Sequence, residues 1–171
     1  MKNLFRSLIA AALVGLSGLS TVHAAGNLSN SYENTLIDAF RAQEYAVPSA
    51  FYVALYTSTC TSDSATFTEV TGGSYARKQY NPSLANWAGT QGAGTTVASS
   101  GTTGTTSNNN AITFDAATAD WGTVQCFAVL SASSGGTMYF YAPLTAARSI
   151  TNGSTASFAA GALTFQIDSD N

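Results

Sequence analysis

The chain has 171 residues, of which 45% are apolar and 11% aromatic, enough for one cored domain and too apolar for a disordered chain. Only 9% are charged, against about 25% in typical soluble proteins, and Thr, Ser, Ala and Gly fill the difference. A polyanion-binding surface needs clustered Lys and Arg, and beyond the leader described next only Arg77-Lys78 are adjacent, so no nucleic-acid partner is expected.

Residues 1–25 read as a secretory signal peptide. Lys2 and Arg6 form a basic start, Leu8 to Leu19 is an apolar stretch, and Val22-His23-Ala24 is a small-x-small cleavage site. The alternative is an uncleaved apolar N-terminal arm that packs against a neighbouring subunit. The stretch is short for a membrane span, and no later segment approaches the roughly 20 apolar residues one needs, so no stable span is expected after leader removal. Cleavage after Ala24 leaves Arg41, Arg77, Lys78 and Arg148 against nine acidic residues, a formal charge of −5.

Leu28, Tyr32, Leu36 and Phe40 recur every fourth residue with Ile37 beside them, which predicts an amphipathic helix between Leu28 and Tyr45. Asn30 with Glu33 reads as its capping box and Pro48 as its far limit. Phe51 to Thr57 predicts a largely buried strand, and Ser74 to Tyr80 a half-exposed one after the Gly72-Gly73 turn. From 89 to 110 the chain is almost wholly Gly, Thr, Ser and Asn, which predicts a long, flexible exposed loop.

Order is expected to resume at Ala111 to Phe114. Val124 to Leu130 and Met138 to Tyr141, separated by Ser134-Gly135-Gly136, read as a hairpin. Thr155 to Phe158 and Leu163 to Ile167 close the chain as strands. Six to eight short strands without a βαβ rhythm predict a mainly β chain. The expected architecture is an antiparallel β-sandwich or jelly-roll-like single domain over residues 26–171 with one N-terminal amphipathic helix. Cys60 and Cys126 are an even pair behind an export-type leader and form a candidate disulfide; two buried free thiols remain the alternative, because spacing alone does not bring them together.

His23 is the sole histidine, so a chain cleaved after Ala24 carries no Ser-His-Asp, Cys-His or imidazole-metal chemistry. No phosphate-binding glycine loop is present, and no catalytic, cofactor-binding or metal residues are expected. Two carboxylate pairs, Asp115 with Asp120 and Glu33 with Asp38, have the residue type a glycosidase needs, but a cap and an Asx turn account for them. Tyr139 and Tyr141 are candidates for stacking on sugar rings, with core packing as the competing role.

The ordered blocks LSNSYENTLIDA, PSAFYVALYTS, EVTGGSYARK, NNNAITFDAATADWGTV and ITNGSTASFAAGALTF resemble the small tailed-phage virion proteins commonly called tail-fibre proteins, over Leu28 to Ile167. The resemblance implies a non-enzymatic, β-rich virion building block, as a tail fibre or capsid decoration, that forms homo-oligomers or joins other virion or surface-assembly proteins. Within its blocks Trp121 is expected to fill the core beside Tyr75, Gly122 to allow close backbone passage, and Arg77 to offer a planar fork to Glu69. The leader and the two cysteines depart from such a family and point to a secreted, extracellular or virion location. A secreted adhesin of prophage origin that binds cell-surface glycan is the competing expectation.

Overall fold

A computed structural model describes residues 16–19, 27–61 and 67–167. Ten strands and one helix are present among them: β1 (Leu16–Leu19), β2 (Asn27–Leu28), α1 (Asn30–Phe40), β3 (Tyr52–Tyr56), β4 (Lys78–Gln79), β5 (Thr105–Ser107), β6 (Ile112–Thr113), β7 (Gly122–Leu130), β8 (Met138–Ile150), β9 (Thr155–Phe158) and β10 (Thr164–Gln166). They form a five-stranded sheet ordered β2-β8-β7-β3-β4, a three-stranded sheet β1-β9-β6 and a ribbon β10-β5. Every pairing is antiparallel except β1 with β9, so the chain is mainly β, as expected.

The centre of the large sheet is covered on both faces. Register places Val53 beside Val129 and Leu55 beside Phe127, and β8 adds Phe140 and Ala142 to the same face. These side chains meet Ile112, Ala156 and Phe158 of the smaller sheet, with the Phe127 and Phe158 rings 5.3 Å apart. The intervening residues Ala54, Tyr56, Cys126, Ala128 and Tyr141 point to the opposite face and are buried as well. Strands wrapped on two sides lose the alternation of a half-exposed sheet, which is why Phe51 to Tyr56 and Cys126 to Leu130 read as continuous apolar runs. Each large side chain removed from water here contributes about 1.5–3 kcal/mol, so these strands anchor the fold.

Helix α1 is capped one residue before the predicted position. Ser29, extended at φ −75° and ψ 151°, accepts from the Tyr32 amide at 3.2 Å, and its own N–H donates to Tyr139 O at 2.9 Å. Asn30 is already helical, so the capping role predicted for it belongs to Ser29. The helix also stops well before Pro48. Ala42 turns left-handed at φ 64°, and the Gln43 amide donates back to Asp38 O at 2.9 Å, the reversal that closes a helix by satisfying its last carbonyls. Tyr32 reaches the sheet through Tyr139, ring centroids 5.2 Å apart, while Phe40 stays 94% exposed.

Two other expectations change. The strand predicted from Ser74 to Tyr80 contracts to Lys78–Gln79, because Ser74 sits at φ 61° and the chain there is turning. Segment 89–110, predicted as a loop throughout, is largely exposed from 91 to 103 but ends in β5 and in Asn108, which is fully buried. The Asn108 carboxamide donates to Asn110 O and Ala159 O and accepts from Leu163 N, each at 2.8 Å. Asn109 beside it donates to Thr95 O at 2.8 Å and accepts from Gly94 N at 2.6 Å. Asn108→Ala orphans the buried Leu163 amide and takes one of two donors from each of the Asn110 and Ala159 carbonyls, and a loss of about 1–3 kcal/mol in urea denaturation is expected. A loss below about 0.5 kcal/mol, the range of neutral surface changes, would mean that water replaces the carboxamide.

The predicted leader lies outside the described residues apart from Leu16–Leu19. That part is an extended strand, laid parallel on β9.

Candidate assembly surface

The polar side chains singled out in the sequence converge on bracing. Arg77 holds Glu69 with both prongs of its fork, Nε to Oε1 and Nη2 to Oε2 at 2.7 Å each, and Nη1 donates to Ala132 O at 2.8 Å and Gly135 O at 2.7 Å. One guanidinium thereby ties the segment before β4 to the β7–β8 turn. Its pKa is raised, chiefly by the hydrogen bonds to Glu69. Tyr75 donates its hydroxyl to Glu69 Oε1 at 3.1 Å and accepts the Leu55 amide at 2.9 Å, and burial pushes its phenol well above the usual range.

Trp121 is 5% exposed. Its ring meets Tyr75 edge-on at 5.3 Å and Phe114 at 6.3 Å, and Nε1 donates to Gly73 O at 2.9 Å. A Cβ on Gly73 would lie 2.9 Å from that nitrogen, so only glycine fits under the indole. Gly122 has a different reason from the close passage expected of it. Its φ is +84°, and a Cβ there would meet only Thr57 Cγ2 at 3.7 Å, so the left-handed backbone and not crowding selects glycine.

Cys60 and Cys126 are joined, with Cα atoms 6.0 Å apart. The bridge pins the segment after β3 over the second face of the sheet, where Phe67 packs on Tyr56 at 5.4 Å and on Tyr141 at 5.2 Å. Tyr56, buried beneath, has its phenol pushed up to about 12, first by burial and then by the Glu69 charge. The unfolded chain releases that proton near pH 10 while the folded chain keeps it to about pH 12. Stability from this group is therefore complete below pH 10 and is lost as pH rises through that window. Denaturation midpoints measured from pH 9 to 12 should fall, and Tyr56→Phe should reduce the slope.

Three of the four carboxylates singled out as pairs are held by other groups. Asp38 pairs with Arg41 at 2.9 Å, Asp115 with Lys78 at 3.5 Å, and Asp120 accepts the Asn152 amide at 2.8 Å. Glu33 is exposed on α1. The tyrosines considered for sugar stacking are spent in packing: Tyr141 is 4% exposed beneath Phe67, and Tyr139 sits between Tyr32 and Phe51, its ring 5.0 Å from the latter. Among the described residues no three His, Cys, Asp or Glu side chains group to hold a metal, and no helix is long and apolar enough to cross a membrane.

Unspent surface is of two kinds. Ile37, Phe40, Val47 and Leu84 are exposed apolar side chains on and after α1. An open cleft of about 510 Å³ lies over the β5–β10 ribbon, lined by Thr90, Thr103, Thr105, Phe165 and Gln166 without a charged side chain. Neither run of sequence signalled the buried Asn108 bracket, although three consecutive asparagines at 108–110 are the trace it leaves.

Arg77, Glu69, Tyr75 and Trp121 are thus spent on cross-bracing a β-rich scaffold. The family described as podophage GP4 fiber I protein gp80 matches residues 27–166, and the chain belongs to that family. The resemblance seen in the sequence blocks thus holds at the level of a phage fibre protein. No curated protein matches the chain.

Proposed function

We propose that the protein is a non-enzymatic structural subunit of a virion or extracellular assembly, acting by self-association or by attachment to a larger body as a tail-fibre or decoration component. The observation that carries this reading is the fibre-family match across residues 27–166, which hold α1 and strands β2 to β10. In this reading residues 26–171 act as one domain behind a leader, and Trp121, Tyr75 and Arg77 are structural anchors and not ligand contacts. A formal charge of −3, or −5 for a chain cleaved after Ala24, offers little long-range repulsion against association. Light scattering of purified protein should show concentration-dependent association, and a strictly single-subunit species at high concentration, alone and with virion components, would overturn it.

The competing reading, a glycan-binding adhesin of prophage origin, draws on the cleft over β5–β10, where neutral hydroxyls and the Gln166 carboxamide surround Phe165. Binding of the same preparation on a glycan array, lost in Gln166→Ala with the fold intact, would favour it.

A further inference from the structure

Strand β9 has a neighbour on each edge. β6 pairs with one edge, and β1 lies along the other in parallel, from Leu16 opposite Thr155 to Leu19 opposite Phe158. β1 also contacts β8, so it sits at the seam between the three-stranded and five-stranded sheets. Behind that seam is core, since Ala156 and Phe158 are fully buried. Without β1 a row of backbone N–H and C=O groups lies bare on that edge, the arrangement that templates pairing with another chain.

β1 reaches its place from β2, a strand of the other sheet, through residues 20–26 alone. Its sequence, Leu-Ser-Gly-Leu, is uncharged, and a strand that adds to an edge is held by main-chain hydrogen bonds. Such a contact forms equally well within one chain or between two identical chains, which makes exchange of an element a low-cost route to assembly.

We propose that the β9 edge is a strand-acceptor site, filled in the assembled protein by β1 of a second copy. The proposal rests on the assembly reading above. Donor and acceptor are different surfaces, so the contact is head-to-tail and, where rotation does not close a ring, it propagates as a filament. A chain that begins at Ala25 keeps the acceptor and lacks the donor, so retention of the leader decides whether subunits link.

Gly18 and Ser157 are register partners, which gives a direct test. Full-length chains carrying Gly18→Cys alone are mixed with chains carrying Ser157→Cys alone, refolded together and oxidised. A disulfide between positions 18 and 157 of different copies, mapped by peptide mass, is the expected result. No such cross-link, with the doubly substituted chain bridging only within itself, would overturn the proposal. In parallel, light scattering compares the full-length chain with one that begins at Ala25, and loss of the high-mass species on truncation is expected. If the truncated chain assembles equally well, strand exchange falls and the assembly reading stands. If neither assembles, both fall. Native assemblies whose subunits all begin at Ala25 would also overturn strand exchange.

Discussion

Trp121→Ala should destabilise the fold by about 3–5 kcal/mol, the range for deleting a large buried aromatic. The indole is 5% exposed, is flanked edge-on by Tyr75 and Phe114, and gives its N–H to Gly73 O. Removing it opens a cavity under a turn shaped around it and leaves Gly73 O with the Thr118 amide alone. Tyr75 would lose the wall that holds its hydroxyl between Glu69 and the Leu55 amide, so the damage spreads to the Arg77 clamp. Chemical denaturation measures the loss, and soluble assembly should vanish with it. A sugar platform behaves in the opposite way: stability within about 0.5 kcal/mol of wild type with glycan binding abolished. That outcome would move the preferred reading to an adhesin.

Replacing the disulfide by Cys60→Ala with Cys126→Ala should cost about 4 kcal/mol if the bridge acts by restricting the unfolded chain, given a separation of 66 residues. The packing cost should be small, because alanine keeps most of the apolar contact. A second effect follows from position. The bridge holds the segment that lays Phe67 over Tyr56 and Tyr141, so its loss should let solvent reach the second face and bring the Tyr56 phenol back toward 10. Denaturant midpoints with and without reductant give the stability, and thiol titration of unfolded, non-reduced protein gives the redox state. Two titratable thiols in native material would sink the bridge and weaken the case for export.

What the sequence made legible were features that depend on local pattern. The apolar runs Tyr52–Tyr56 of β3 and Cys126–Leu130 of β7, and the Ser134-Gly135-Gly136 turn into β8, are written in residue type, because a doubly covered stretch of strand is apolar on both faces. The helix was legible in its face and not in its ends. Its stop depends on Ala42 accepting a left-handed backbone, which alanine does not advertise. Asn108 was the deeper miss. Asparagine in a Gly/Thr/Ser-rich run signals a loop, and only the carbonyls of Asn110 and Ala159 arriving from elsewhere in the fold turn it into a buried bracket. The extent of β8 was missed as well: exposed Thr145 to Ala147 carry no strand signature and lie where the β7–β8 register shifts, between the Cys126–Pro143 and Val124–Arg148 pairs.

The order of strands in the sheets also sets an order in time. β2 and β3 take partners in β8 and β7, β5 takes β10, and β1 and β6 both take β9. Of the strands in the first two thirds of the chain, β4 is the one that finds its partner, β3, nearby in sequence. The amino-terminal part therefore has almost nothing to fold onto until the residues beyond 120 exist, and chains dominated by such distant pairings fold slowly. During synthesis the pairings of β2, β5 and β6 can form only once β8 to β10 have been made.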